Sequence, residues 1–278
     1  MADPLVSTDW LHEHLAAPDI RIVDATWFMP ADGRDARAEY AAAHIPRAVF
    51  FDIDEIADTD SPLPHMLPSP VKFSSRVKRL GLGDGLKIIA YDNNTYAASA
   101  RVWWMFRAMG HEDVAVLDGG FAKWQAEGRP IDDLPTPPTE RHFTPRANSF
   151  LLRDLEQMRA NLTSKREQVV DTRSAARFTG TVAEPRPGLR SGHIPGSRNV
   201  PASDLVAADG TLKDAQALTA AFAAAGVDLE KPITTSCGSG VSAAIATLAL
   251  ARLGRMDVAL YDGSWTEWGG QSDTPVAR

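Results

Sequence analysis

Leu117-Asp118-Gly119-Gly120-Phe121-Ala122-Lys123-Trp124 is echoed later in the chain by Tyr261-Asp262-Gly263-Ser264-Trp265-Thr266-Glu267-Trp268, and the echo decides the fold. The spacing between the two aspartates is 262 − 118 = 144. Two other pairs keep almost the same interval. Val23-Asp24-Ala25 recurs as Val170-Asp171-Thr172, at 171 − 24 = 147, and His44-Ile45-Pro46 recurs as His193-Ile194-Pro195, at 193 − 44 = 149. Near-constant offsets across three separated motifs mark a duplicated domain. Between the copies, Asp132-Asp133-Leu134-Pro135-Thr136-Pro137-Pro138 has the composition of a semi-extended linker, so the boundary is expected between Pro130 and Phe150. The organisation expected is one domain over 1–135, a proline-containing linker over 136–150 and a second domain over 151–278.

Within each copy, short apolar or β-branched runs alternate with helical patterns. Residues 20–23, 88–91 and 114–117 read as strands in the first half, and 168–170, 232–235 and 257–260 in the second. Helical patterns cover 7–15, 71–80, 101–109, 151–162, 214–225 and 242–253. Such alternation predicts an α/β fold in which each copy is a mainly parallel sheet flanked by helices.

Composition narrows the function. The chain has 278 residues, 44% of them hydrophobic, enough for two domains with proper cores. Its formal net charge is −7 and no basic block is present, so nucleic acid is excluded as an expected partner. The longest apolar run, Val241–Ala251, is too short to span a bilayer, and the first residues lack a signal-peptide pattern. A cytoplasmic protein without membrane association is expected. One cysteine, Cys237, permits neither an internal disulfide nor a cysteine-rich metal site. It is either a buried apolar bystander or a reactive thiol.

Its surroundings favour the thiol. Aligning the copies puts Ile233-Thr234-Thr235-Ser236-Cys237 on Ile88-Ile89-Ala90-Tyr91-Asp92, so Cys237 follows a strand. Gly238 and Gly240 come next, and Ser242 opens an alanine-rich helical segment. Successive backbone N–H groups in such a turn can converge on an anion. A model thiol titrates at roughly 8.5, and converging donors favour the nucleophilic thiolate. Cysteine phosphatases also build an anion-cradling loop after a strand, but they need an arginine six positions after the cysteine, where this chain has Ala243.

Cys237-Gly238-Ser239-Gly240-Val241-Ser242, with Arg190-Ser191-Gly192-His193-Ile194-Pro195-Gly196 before it and Tyr261-Asp262-Gly263-Ser264-Trp265-Thr266-Glu267-Trp268 after it, resembles the tandem rhodanese family over nearly the whole chain. The resemblance implies two rhodanese domains, of which only the C-terminal one carries the sulfur-accepting cysteine. Asp92 at the equivalent N-terminal position fits, because a carboxylate cannot carry a persulfide. The loop is similar to the Cys-Gly-Ser/Ala-Gly-Val-Thr form of the family's 3-mercaptopyruvate sulfurtransferases rather than the basic Cys-Arg-Lys-Gly-Val-Thr form of its thiosulfate-using members. Ser242 departs from the usual threonine but keeps a hydroxyl able to cap the helix.

By the same resemblance, Arg177 and Arg186 bind the substrate carboxylate and carbonyl beside the loop residues Gly238, Gly240, Val241 and Ser242, with Arg190 a nearby third arginine. Asp54 and His65 are placed with Ser239 in a triad-like relay. His44 and His193, present in both copies, are assigned to structure, and the seven tryptophans to the core and interfaces. The activity implied is transfer of sulfane sulfur from 3-mercaptopyruvate, through a Cys237 persulfide, to cyanide, a small thiol or a thioredoxin-like protein, with no metal or organic cofactor. A thiosulfate sulfurtransferase and a non-catalytic tandem binding module are the alternatives.

Overall fold

Ile20–Asp24 and Lys87–Tyr91 are nearly continuous apolar runs, as strands covered on both faces require, and they pair in parallel with Ile22 beside Ile89. In the computed structural model, which describes residues 3–278, these are β2 and β4 of the first half. Around them lie β1 (Leu5–Val6), β3 (Ala48–Phe50) and β5 (Val114–Leu117), giving a wholly parallel sheet in the order β1-β5-β4-β2-β3. Helices α1 (Thr8–Glu13), α2 (Ala36–Ala42), α3 (Pro70–Arg79), α4 (Ala97–Ala108) and α5 (Gly120–Ala126) complete this half. Leu11, Ile22, Ile89, Leu117, Phe121 and Trp124 form part of its core.

The second half repeats the plan. Strands β6 (Leu152–Arg153), β7 (Gln168–Asp171), β8 (Arg198–Asn199), β9 (Ile233–Ser236) and β10 (Ala259–Tyr261) stand in the order β6-β10-β9-β7-β8, again all parallel. The helices are α6 (Leu155–Ser164), α7 (Ala175–Phe178), α8 (Ala215–Ala224), α9 (Ala243–Arg252) and α10 (Ser264–Gly270). Chain order runs outward from β7 on one side and from β9 on the other. The switch point of this sheet is therefore between them, where an open α/β sheet offers a crevice beyond the carboxyl ends of its strands. Cys237 follows β9 and Thr172-Arg173 follow β7, so both lie at that point.

The repeated motifs do repeated structural jobs. Trp124 Nε1 donates to Pro130 O at 2.7 Å, and Trp268 Nε1 donates to Pro275 O at 2.8 Å. His44 Nδ1 bonds Tyr40 O at 2.7 Å, and His193 Nδ1 bonds Phe178 O at 2.8 Å, each ring stacked on the aromatic it follows. Removing any of these tryptophans takes out a large buried side chain, which costs about 3–5 kcal/mol.

Contacts divide the chain into two compact units whose membership is not strictly sequential. The first contains the chain up to Thr59, Leu67–Asn148 and Ala208–Leu212, and the second contains Asp60–Met66, Ser149–Ala207 and Lys213–Arg278. The segment after Pro138 runs along the first unit, with Arg146 N bonding Met109 O at 2.8 Å and Asn148 N bonding Ala108 O at 2.7 Å. Within the same unit, Leu212 N donates to Tyr96 Oη at 2.8 Å and Asp118 Oδ1 at 2.9 Å.

Two helices start elsewhere than their apolar pattern suggests. The expected helix over 151–162 is instead a 3₁₀ turn, the edge strand β6 and then α6, because Asp154 takes the N-cap and bonds Gln157 N at 2.8 Å in a capping box. Helix α4 begins at Ala97 rather than Arg101 and is buried almost throughout.

Candidate active site

Cys237 is 1% exposed, and the turn around it is fixed by its own backbone. Cys237 N donates to Ser264 Oγ at 3.1 Å, and Cys237 O accepts from Trp265 N at 2.9 Å. Gly238 O accepts twice from Thr266, from N at 2.8 Å and from Oγ1 at 2.6 Å. The loop is thus clamped to the start of α10. Gly240 has φ +78, a left-handed conformation that favours glycine.

The first unit displays what such a loop does to an anion. Asp92 occupies the aligned position, and its backbone carbonyl accepts from Phe121 N at 2.9 Å as that of Cys237 does from Trp265. Its carboxylate collects four backbone donors: Oδ1 accepts from Asn94 N and Tyr96 N at 3.2 and 3.0 Å, and Oδ2 from Ala98 N and Ser99 N at 3.1 and 2.7 Å. The aligned N–H groups of the second unit belong to Ser239, Val241, Ala243 and Ala244. A strand, a tight turn and a helix start therefore form an anion cradle in this fold.

Two arginines reach the cysteine loop. A Cβ built on Gly238 would lie 3.0 Å from Arg177 Nη2, 3.9 Å from Arg177 Nη1 and 3.9 Å from Arg186 Nη1. Gly238 is thus a point of close approach, where the lack of a side chain admits both guanidinium groups. Arg177 comes from α7, and its side chain is 26% exposed. Behind it lies an ion network closed to solvent. Glu184 accepts from Arg177 Nε and Nη2 at 3.2 and 2.5 Å, and from Arg173 Nη1 at 2.8 Å. Arg173 also clasps Asp171, with Nη2 to Oδ2 at 2.7 Å, and lies over the Trp265 ring at 4.4 Å. Burial works against the Arg173 cation, but Asp171 and Glu184 more than offset it and hold its pKa above the ordinary arginine value. Neither Arg173 nor Glu184 stands out in the sequence as a site residue, because each acquires its role from partners brought in by the fold.

Ser239 is 7% exposed, Val241 5%, and both lie in the Cys237 turn. Ser242 precedes α9 but makes no side-chain cap bond, contrary to the expectation; its hydroxyl instead meets Thr172 Oγ1 at 3.4 Å. His65 is buried in the second unit with φ +60. Asp54 belongs to the first unit, accepts from Trp27 Nε1 at 2.8 Å and borders a cavity of about 700 Å³ with Arg34, Arg37 and Asp52. Arg190 is committed to structure, donating to Gly269 O at 3.1 Å, Trp268 O at 3.0 Å and Thr274 O at 2.7 Å. Among the described residues no three His, Cys, Asp or Glu side chains gather as a metal site would need, and no helix is long and apolar enough to cross a membrane.

Residues 7–127 and 154–271 each match the rhodanese-like domain. The chain is 43% identical to the 3-mercaptopyruvate sulfurtransferase of Escherichia coli K12 over 272 residues, which are 98% of this chain and 96% of that protein. It is 44% identical to the mouse thiosulfate sulfurtransferase over 271 residues, 95% of this chain and 91% of that one. The crystal structure of SseA from Escherichia coli, described as a 3-mercaptopyruvate sulfotransferase with the rhodanese fold, superposes with a TM-score of 0.87 at 41% identity, covering 95% of this chain and 99% of that one. Identity alone does not separate the two donors, so the loop chemistry has to.

Proposed function

The chain belongs to the rhodanese-like domain family, with two copies of the domain, and from that premise we propose how its second unit works. It is a sulfurtransferase that takes sulfane sulfur from 3-mercaptopyruvate through a Cys237 persulfide and passes it to a thiol or cyanide, releasing pyruvate. The observation that carries the donor assignment is the approach of Arg177 and Arg186 to Gly238. Two guanidinium groups on one side of the loop suit a carboxylate and an adjacent ketone oxygen. Thiosulfate, a compact dianion, is better served by cations within the loop, and Gly238-Ser239 supplies none.

The first step forms a bond between Cys237 Sγ and the donor sulfur and breaks the bond between that sulfur and C3 of the donor. The electron pair of the broken bond passes into the pyruvate enolate. The donor's thiol proton ends on C3, so a thiolate and mercaptopyruvate give a persulfide anion and pyruvate with atoms and charge balanced. In the second step an acceptor thiolate attacks the outer sulfur and Cys237 leaves as thiolate. Backbone N–H groups of the turn stabilise both anions, a role supported by the four donors that Asp92 collects in the sister loop. Ser239 and His65 carry the proton to the enolate. Their support is that both are buried and both belong to the second unit. For Asp54 in that relay the support is the sequence motif alone. Arg177 and Arg186 orient the donor, and Gly238, Gly240, Val241 and Ser242 shape the wall against which it lies.

The acceptor in the cell is a small thiol or a thioredoxin-like protein, and a reducing compartment such as the cytoplasm suits a free catalytic thiol. Intact mass after exposure to mercaptopyruvate tests the reaction: wild type gains one sulfur atom and Cys237→Ser gains none. No gain on wild type, or an equal gain on the variant, refutes the persulfide, and a higher kcat/KM with thiosulfate refutes the donor.

A further inference from the structure

Glu184 takes no part in the steps above, yet its side chain is 1% exposed although it comes from the loop between α7 and β8. Burying a carboxylate there is costly unless it is fully paired. Both oxygens are in use: Oε2 is held by Arg177 Nη2, and Oε1 is shared by Arg173 Nη1 and Arg177 Nε. Arg173 is fixed in turn by Asp171 at the end of β7, by Gly192 O at 2.8 Å and by the Trp265 ring. The chain of contacts thus runs from the rigid sheet to a single partly exposed guanidinium beside the cysteine loop.

Resting on the reading of Arg177 as a ligand of the donor, we infer that Glu184 is a positioning residue, which holds Arg177 against Gly238 so that its Nη1 edge meets the donor carboxylate. A partly exposed arginine otherwise has several rotamers to lose on binding, and a buried carboxylate that fixes it beforehand lowers that cost. Glu184 grips the Nε and Nη2 edge and leaves Nη1, which is 3.9 Å from the Cβ position at Gly238. Arg173 supplies a second opposite charge to the buried carboxylate, at 2.8 Å from Oε1. The role concerns binding of a carboxylate and not cleavage of the carbon–sulfur bond.

The test is steady-state kinetics of Glu184→Gln with 3-mercaptopyruvate and with mercaptopropanone, the same thiol ketone without the carboxylate. KM for mercaptopyruvate is expected to rise about tenfold with kcat within about twofold, because a charge-assisted clamp has become a neutral one. KM for mercaptopropanone is expected to stay unchanged, and the effect to vanish in an Arg177→Ala background. A merely structural role moves both donors alike and survives in that background, which overturns the inference. If Glu184→Gln does not fold, Glu184→Asp keeps the charge beside Arg173 while drawing the carboxylate back from Arg177; the same rise for mercaptopyruvate alone supports the role, and an unchanged KM overturns it. An active wild type with an indistinguishable variant defeats Glu184 alone, whereas a wild type that gains no sulfur from mercaptopyruvate defeats the donor reading and this inference with it.

Discussion

Adding one methyl group at Gly238 tests the site geometry most directly. The new Cβ would stand 3.0 Å from Arg177 Nη2, closer than carbon and nitrogen normally approach, so something must move by a few tenths of an ångström. The peptide is held by the two Thr266 bonds to Gly238 O, at 2.8 and 2.6 Å, and gives little. Gly238 is not among the residues of positive φ, so alanine adds no backbone strain. Arg177 is therefore the group that moves, and the atom displaced is the one bonded to Glu184 Oε2 at 2.5 Å. Weakening one hydrogen bond between charged groups costs about 1.5–3 kcal/mol. If that cost falls on donor binding, KM for 3-mercaptopyruvate rises roughly ten- to hundredfold, at about 1.4 kcal/mol per decade. Initial rates of pyruvate release with cyanide as acceptor give KM and kcat, and thermal unfolding checks that the fold is intact. A stable Gly238→Ala enzyme whose KM stays within about twofold of wild type would refute the close approach of Arg177.

Asp92→Ala leaves four backbone donors without their buried acceptor and is expected to cost about 3–5 kcal/mol in urea unfolding, with Asp92→Asn in between; a loss below about 1 kcal/mol contradicts the cradle. Burial pushes the Asp24 carboxyl up to about 6 from its ordinary value of 3.8, against the hydrogen bonds from Thr26. The folded chain thus binds this proton more tightly than the unfolded one. Its stabilising contribution is full below about pH 4 and is lost as pH rises through about 6. Asp24→Asn should therefore gain on wild type across that window by on the order of 2–3 kcal/mol and then level off, whereas a difference independent of pH contradicts the shift. Arg190→Ala removes donors to three backbone carbonyls and should lower stability by about 2–3 kcal/mol while leaving donor KM within about twofold; a selective rise in KM would return Arg190 to the site.

The duplication and the cysteine turn were legible because both are written locally, in short motifs at near-constant offsets and in glycines next to a lone thiol. The two-residue strands β1, β6 and β8 were not, since so short a stretch shows no period. Leu151, Leu152 and Leu155 carry a helical spacing, but pairing of Leu152 with Leu260 and the Asp154 cap override it. Ser242 was expected as a cap from its position; only the fold reveals that Thr172 competes for its hydroxyl. Glu184 was invisible for a deeper reason. Its partners lie seven and eleven residues upstream, Arg177 in the four-residue α7 and Arg173 on the irregular chain before it, a spacing that matches no single helix or strand. Membership of Asp60–Met66 in the second unit is likewise a tertiary fact, and it changes which residues His65 is grouped with.

Asp92 gives the first loop a ligand of its own, joined covalently and so present at an effective concentration that no diffusing anion can match. That loop is saturated at every ionic strength and throughout turnover, whatever the solution contains. A halide, a sulfite-like oxyanion or any other anion seeking a turn of this shape has one place per chain in which to compete, at Cys237. Calorimetric titration with such an inhibitor should accordingly follow a single-site isotherm with one equivalent per chain, even though the loop was built twice.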